Sequence, residues 1–287
     1  MIFNFIPLTF ATLWSSAFIT SKIIVDNASP FISLSLRFII VAFIFFIFFI
    51  CFSKYKKISI KAFFEASISG LLFHGLYLGG VFYALSKGIS ASLIALIVSL
   101  QPILTSILAK IYLNEQLSLF QWLGIFLGFC GAFIIILSDL SQGLTLLAFT
   151  AGLVGLISSS LGIIWQKRII DELPLSANNF IQAFSASFFH FFLALCFENY
   201  FINFSNNFFI AMSWQIFAIS LGAFLILMWL LERNKANQTS TLFFLIPPIS
   251  AIMAYFILDE QFSYLDFLGL FISSIGIFIV TKYQSKT

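Results

Sequence analysis

Runs of about twenty apolar residues, broken by short polar clusters, follow one another along the whole chain. A run of that length is what a helix needs to cross the hydrocarbon core of a bilayer, roughly 30 Å at 1.5 Å per residue. The pattern predicts ten helical spans at about 5–25, 31–52, 64–86, 91–113, 119–138, 146–166, 176–197, 212–231, 238–258 and 264–282. Turn or charge signals mark the breaks, such as Asp26 to Pro30, Lys54 to Lys61, Lys87-Gly88, Lys167 to Pro174 and Asp259-Glu260-Gln261. No break is long enough for a second, soluble domain. The expected fold class is all-α integral membrane.

One stretch occurs twice. Residues 100–134 and 245–279 align without a gap at an offset of 145, with 14 of 35 positions identical. The shared positions include Pro102/Pro247, Glu115/Glu260, Gln116/Gln261, Gly124/Gly269 and Gly131/Gly276. Repeats of this kind organise the rest of the reading. They divide the chain into two copies, 1–142 and 143–287, each holding five spans. An odd number of spans makes the second copy enter the membrane from the opposite side. The expected architecture is therefore ten transmembrane helices as two inverted five-helix repeats, an arrangement recurrent among secondary transporters.

Charge sets the orientation. With the N-terminus inside, cytoplasmic ends and loops carry Lys54, Lys56, Lys57, Lys61, Lys110, Lys167, Arg168, Arg233, Lys235, Lys282 and Lys286, and the far side carries Lys22 and Lys87. Lys and Arg gather on the cytoplasmic side, so both termini are expected there, in a multi-pass protein of the cytoplasmic (inner) membrane. Composition agrees. The chain is 61% hydrophobic and 9% charged, against roughly 25% charged in a soluble domain. A net charge of +3 does not suggest a nucleic-acid partner; the lipid bilayer is the expected one. The first span has no basic residue before it and no small-residue cleavage site, and is read as a retained helix. Cys51, Cys130 and Cys196 lack metal-like spacing and are read as small buried hydrophobes.

Candidate chemistry lies inside the spans. Pro102 and Pro247 fall near the middle of the fourth and ninth. Proline frees a carbonyl that must find a partner or a wet cavity, and matched breaks point to a site between copies. Gln101 adds a polar group beside Pro102. His74 lies within GLLFHGLYLGG, where an imidazole suits substrate or proton binding. Tyr77 shares its helix face. Trp14, followed by two serines, and Trp165 close to a polar Gln166, are candidate substrate-stacking groups. Arg37 reads as snorkelling to the headgroups, or as a bidentate anchor for a carboxylate. His190, among phenylalanines with only Ser187 as polar neighbour, reads as structural. Glu115 and Glu260 are assigned to turns, with Ser118 and Ser263 capping the helices that follow and the glutamates favouring the positive ends of those helices. Glycines spaced four apart, Gly75/Gly79 and Gly124/Gly128, suit close helix packing.

These residues resemble a known family. The Trp-Ser-Ser of the first span, FYALSKGISASLIALIVSLQPILTSILAKIYLNEQLS and PPISAIMAYFILDEQFS are similar to EamA-type members of the drug/metabolite transporter superfamily. The resemblance covers essentially the whole chain. It implies ten helices, cytoplasmic termini, a central cavity and alternating access, with small metabolites as substrates and export of amino acids or related compounds common. It places Pro102 and Glu115 in one copy opposite Pro247 and Glu260 in the other. A cavity lined from spans 1, 3, 4, 6, 8 and 9 is compatible with Trp14, His74, Tyr77, Gln101 and Trp165.

The expected function is secondary transport of a small polar metabolite, an amino acid or derivative, outward by alternating access, with His74 as candidate proton-coupling group. An uptake exchanger for a nucleotide-related or cofactor-like metabolite is the second reading, and a non-transporting membrane scaffold the third. No Asp or Glu lies centrally in any span, which argues against the carboxylate-based antiport of cationic drugs. No cofactor motif, metal ligand set or nucleophile–base pair appears, so an enzyme is not expected. Oligomeric state is not encoded in these signals.

Overall fold

The computed structural model describes residues 6–52, 58–113, 118–141, 145–169, 172–233 and 245–284, and among these the chain is helical apart from short connections. Helix α1 spans Ile6–Asn27 and α2 Pro30–Phe52. Helix α3, Ile60–Ser86, runs through a π-helical segment at Leu71–Tyr77. Then come α4 (Ala91–Ser99), α5 (Gln101–Leu113), α6 (Leu119–Ser141), α7 (Leu146–Ile169) and α8 (Leu175–Phe197). Helix α9 starts at Asn206–Trp214, passes through a second π-helical segment at Gln215–Ala223, and ends at Phe224–Arg233. Helices α10 (Ile246–Leu258) and α11 (Tyr264–Gln284) complete the described chain.

Six stretches are long and apolar enough to cross a membrane: Leu8–Asn27, Pro30–Phe52, Ile60–Ser86, Leu146–Ile169, Leu175–Phe197 and Asn206–Leu230. Ala91–Thr105, Leu119–Ile135, Ile246–Leu258 and Tyr264–Ile279 are apolar and shorter. Their outer faces expose large apolar side chains, among them Phe43, Phe126, Phe188 and Phe256. Backbone groups are satisfied within each helix, so such a surface is at ease in lipid. This is a multi-pass membrane protein.

Local chemistry starts and stops the helices. Ser59, Ser90 and Ser205 each accept a backbone N–H from three residues on, capping α3, α4 and α9. Two starts come earlier than the apolar runs suggest. Helix α9 begins at Asn206 rather than 212, and α3 at Ile60 rather than 64. In both, a serine cap draws polar residues into the first turn, where unpaired N–H groups need them. Ser118 and Ser263 cap α6 and α11 as expected: Gln121 returns a bond to the Ser118 N–H at 2.7 Å, and Asp266 to the Ser263 N–H at 2.7 Å. Between α4 and α5 the helix breaks at Leu100, two residues before Pro102. Pro102 and Pro247 each stand second in their helices, α5 and α10, where the missing N–H removes no helical bond.

Helices pair across the two halves of the chain: α2 with α8, α6 with α11, α1 with α10 and α3 with α7. The α6–α11 contact is backbone against backbone. A Cβ on Gly131 would meet the Ser273 nitrogen at 2.4 Å, and one on Gly276 the Gly128 nitrogen at 2.3 Å. Two carboxylates tie the halves together at connections. Glu260 accepts the Ala91 N–H at 2.6 Å and the Ser92 hydroxyl at 2.6 Å, capping α4. Glu198 accepts the Phe31 and Ile32 N–H groups at 2.7 and 3.0 Å, capping α2. Burial pushes the Glu198 carboxyl above its usual range, against those two bonds. Two expectations are corrected. Cys51 and Cys196 are exposed on helix surfaces and Cys130 is half-buried, so they are not core residues; each sits on the apolar outer face of its helix. Glu260 serves the N-terminus of α4 rather than that of the helix after it, because Asp266 already occupies the latter. Glu115 and the boundary between the two expected repeats lie outside the described residues.

Candidate functional site

The side chains with chemistry converge on one cavity walled by α1, α2, α3 and α9. From α1 come Trp14, Phe18 and Ser21; from α2, Arg37; from α3, Phe73, His74 and Tyr77; from α9, Gln215, Ser220 and Phe224. Both π-helical segments lie in this wall. An α-helix separates residues five apart by about 140°, whereas the wider turn of π-type i→i+5 bonding narrows that angle. Gln215 and Ser220 thereby face the same space. A wider turn, often found at functional sites, similarly turns Phe73, His74 and Tyr77 to the cavity.

Arg37 is 3% exposed. Snorkelling is therefore overturned: the guanidinium turns inward, because Ser220 takes its Nε–H at 3.0 Å and the Phe38 ring lies 5.1 Å below it. Among the described residues no carboxylate pairs with it. Gln215 is held by its amide nitrogen, whose two N–H groups are shared among the Ala17 carbonyl at 2.8 Å, the Thr20 hydroxyl at 2.7 Å and the Ser21 hydroxyl at 3.0 Å. A carbonyl only accepts, so the orientation of this amide is fixed. Its Oε1 is buried without a partner.

His74 packs between Phe38 at 4.9 Å and Phe224 at 4.5 Å, and its Nδ1 has no partner. Its backbone carbonyl receives the Nε2–H of His190 at 3.0 Å. That bond fixes the His190 tautomer and steadies the π-helical turn, so His190 acts on the cavity through α3. Stacking between Phe31 and Phe38, both at 6.1 Å, holds its ring. Trp14 stands 6.1 Å from Phe73 with its indole facing the Tyr77 hydroxyl.

Of the residues singled out in the sequence, the structure brings Trp14, His74, Tyr77 and Arg37 together. Gln101, Pro102, Pro247 and Trp165 lie apart from this wall. Gln101 is fully buried at the α4–α5 break with both amide atoms unpartnered. Trp165 sits near the end of α7, where it donates to the Glu65 carbonyl at 3.1 Å under the Arg168 guanidinium. A second polar group, of which only Gln166 was named in the sequence, lies one turn before Phe73 on α3. Gln166 Oε1 receives the Ser69 hydroxyl at 2.7 Å and the Gln182 amide at 2.8 Å, and Gln182 also donates to Asn178 at 2.8 Å. Gln215 was missed because the eighth span was expected to start at 212. That start left Gln215 at a helix end, where a polar side chain needs no explanation.

Comparison with known proteins gives a consistent picture. The model of the EamA-like transporter family matches residues 2–137 and 146–282. A protein of Escherichia coli named a probable amino-acid metabolite efflux pump is 24% identical over 96% of this chain and 93% of its own. An Archaeoglobus fulgidus protein named an uncharacterized transporter is 23% identical over 94% of this chain and 95% of its own. A solved crystal structure superposes with a TM-score of 0.69 at 14% identity, covering 98% of both chains, a likeness of fold.

Proposed function

Because this chain belongs to the EamA-like transporter family, we propose that it carries a small polar metabolite, an amino acid or derivative, outward across the cytoplasmic membrane. The observation that carries this reading is the cavity: polar groups from both halves of the chain converge on buried space inside an apolar bundle. A static scaffold has no use for a buried guanidinium that no described carboxylate pairs and an orphaned amide oxygen inside a membrane bundle, where each is costly. The name borne by the Escherichia coli relative favours efflux of amino-acid metabolites over uptake.

The mechanism follows from ten spans in two inverted repeats with cytoplasmic termini. The halves rock about the cavity so that it opens to one side at a time. In this arrangement the Ser69–Gln166–Gln182–Asn178 network closes the cytoplasmic side, and the Glu198 and Glu260 caps tie the outer side. His74 contacts substrate through its imidazole, and a proton taken up at its open Nδ1 would couple the cycle to pH. Two measurements test the reading. Strains with and without the overproduced protein should differ in medium and cell metabolites, with a set of compounds moving in opposite senses; no such shift weighs against export. In proteoliposomes His74→Ala should lower flux at least about tenfold while the purified protein stays monodisperse. Flux unchanged from pH 5.5 to 8 would remove His74 from proton coupling.

A further inference from the structure

We propose that the cavity selects an organic monoanion: a carboxylate with an apolar body and one neutral N–H donor, as in an N-acylated amino acid, rather than a free zwitterion or a cation. This rests on the transport reading and names the substrate class of its site.

The wall offers one full charge, and it is positive. The only hydrogen bond of the Arg37 guanidinium among the described residues is Nε–H to Ser220. Five N–H donors in a planar fork match a carboxylate. A cation buried here without a protein carboxylate is costly until a ligand anion pairs with it. An α-ammonium finds the opposite environment. Among the described residues no Asp or Glu lines the cavity, and the guanidinium would repel it. The acceptor the wall does offer is neutral. With both N–H groups of the Gln215 nitrogen taken up by the acceptors of α1, Oε1 remains to take one N–H. A single uncharged donor, such as the amide N–H of an acylated amine, satisfies that oxygen without bringing a second cation beside Arg37. Ser220, bound to Arg37, and Gln215 lie on the same π-helical segment, so carboxylate and N–H contacts fall on one side of the ligand. Trp14, Phe18, Phe73 and Phe224 supply the apolar remainder.

Four compounds with one body separate the charges: N-acetyl-L-leucine, L-leucine, L-leucinamide and N-acetyl-L-leucinamide. Binding to the purified full-length protein is read by thermal shift, and transport by uptake into proteoliposomes. N-acetyl-L-leucine should bind about tenfold or more tighter than L-leucine, and the two amides more weakly still. Arg37→Met should abolish that preference, and Arg37→Lys should keep part of it. If Arg37→Met does not yield monodisperse protein, the Arg37→Lys variant and the wild-type ranking decide. Equal or tighter binding of L-leucine or L-leucinamide would overturn the proposal, as would an unchanged preference in Arg37→Met. Protein-dependent export of only neutral or cationic compounds would overturn the anion assignment and leave transport standing. Absence of protein-dependent flux of any compound would overturn both.

Discussion

Single side chains in this protein settle charges that lipid cannot. Glu260 closes the N-terminus of α4 from the far half of the chain, accepting one backbone N–H and one hydroxyl at 2.6 Å each. Replacing it leaves first-turn N–H groups without a partner. Glu260→Ala should cost about 1–2 kcal/mol, read as a lower melting temperature in detergent. Glu260→Gln, which keeps an acceptor, should recover part of the loss. An unchanged melting temperature in Glu260→Ala would show that the cap adds nothing. The sequence made Trp14, His74 and Tyr77 legible because aromatic and ionisable groups inside an apolar run are conspicuous. It did not resolve Arg37. One to two turns from a helix end, an arginine reaches headgroups or turns inward equally well, and only the Ser220 hydroxyl from a distant helix decides. Glu260 was recognised as belonging to a connection, but its partner, 168 residues away in sequence, left no local trace.

At the scale of helices the two ends of the bundle differ in kind. Helices α6 and α11 meet through glycines so closely that no Cβ fits: on Gly131 it would lie 2.4 Å from the Ser273 nitrogen and 2.5 Å from the Gly269 carbonyl oxygen. Gly131→Ala must push the helices apart, an overpacking cost of about 1–3 kcal/mol. Gly222→Ala, whose Cβ meets nothing nearer than 3.5 Å, should behave like the wild type. Size-exclusion profiles after heating would separate the two, and equal profiles would mean that the contact yields. Helices α3 and α9 instead carry π-helical segments where they face the cavity. The apolar helices were legible from the apolar runs, and the close contact at Gly124/Gly128 from their spacing. The π segments were not, since one extra residue per turn leaves hydropathy unchanged. Helix α9 shows what that hides: a start at Asn206, with its serine cap, moves Gln215 from a helix end to the cavity wall.

For the molecule as a whole, the fold class and family were open to sequence reading because lipid imposes runs of fixed length and the duplicated Pro–Glu stretch is distinctive. The cavity's sign was not, because it depends on which of fourteen basic side chains turns inward. That lone guanidinium has a consequence for energetics. A carrier whose cargo is a monoanion moves charge, and the inside-negative potential of an energised membrane drives anions out. Each elementary charge moved across 100 mV is worth about 2.3 kcal/mol, which sustains a gradient of about fiftyfold with no coupled ion. In proteoliposomes loaded with N-acetyl-L-leucine, a potassium diffusion potential, negative inside, should accelerate efflux at constant pH. Reversing its polarity should slow it, and efflux indifferent to polarity would mean that the cycle is electroneutral. The scarcity of acidic groups deep in the bundle would then be no deficit: voltage can do the work for which other carriers keep a buried carboxylate.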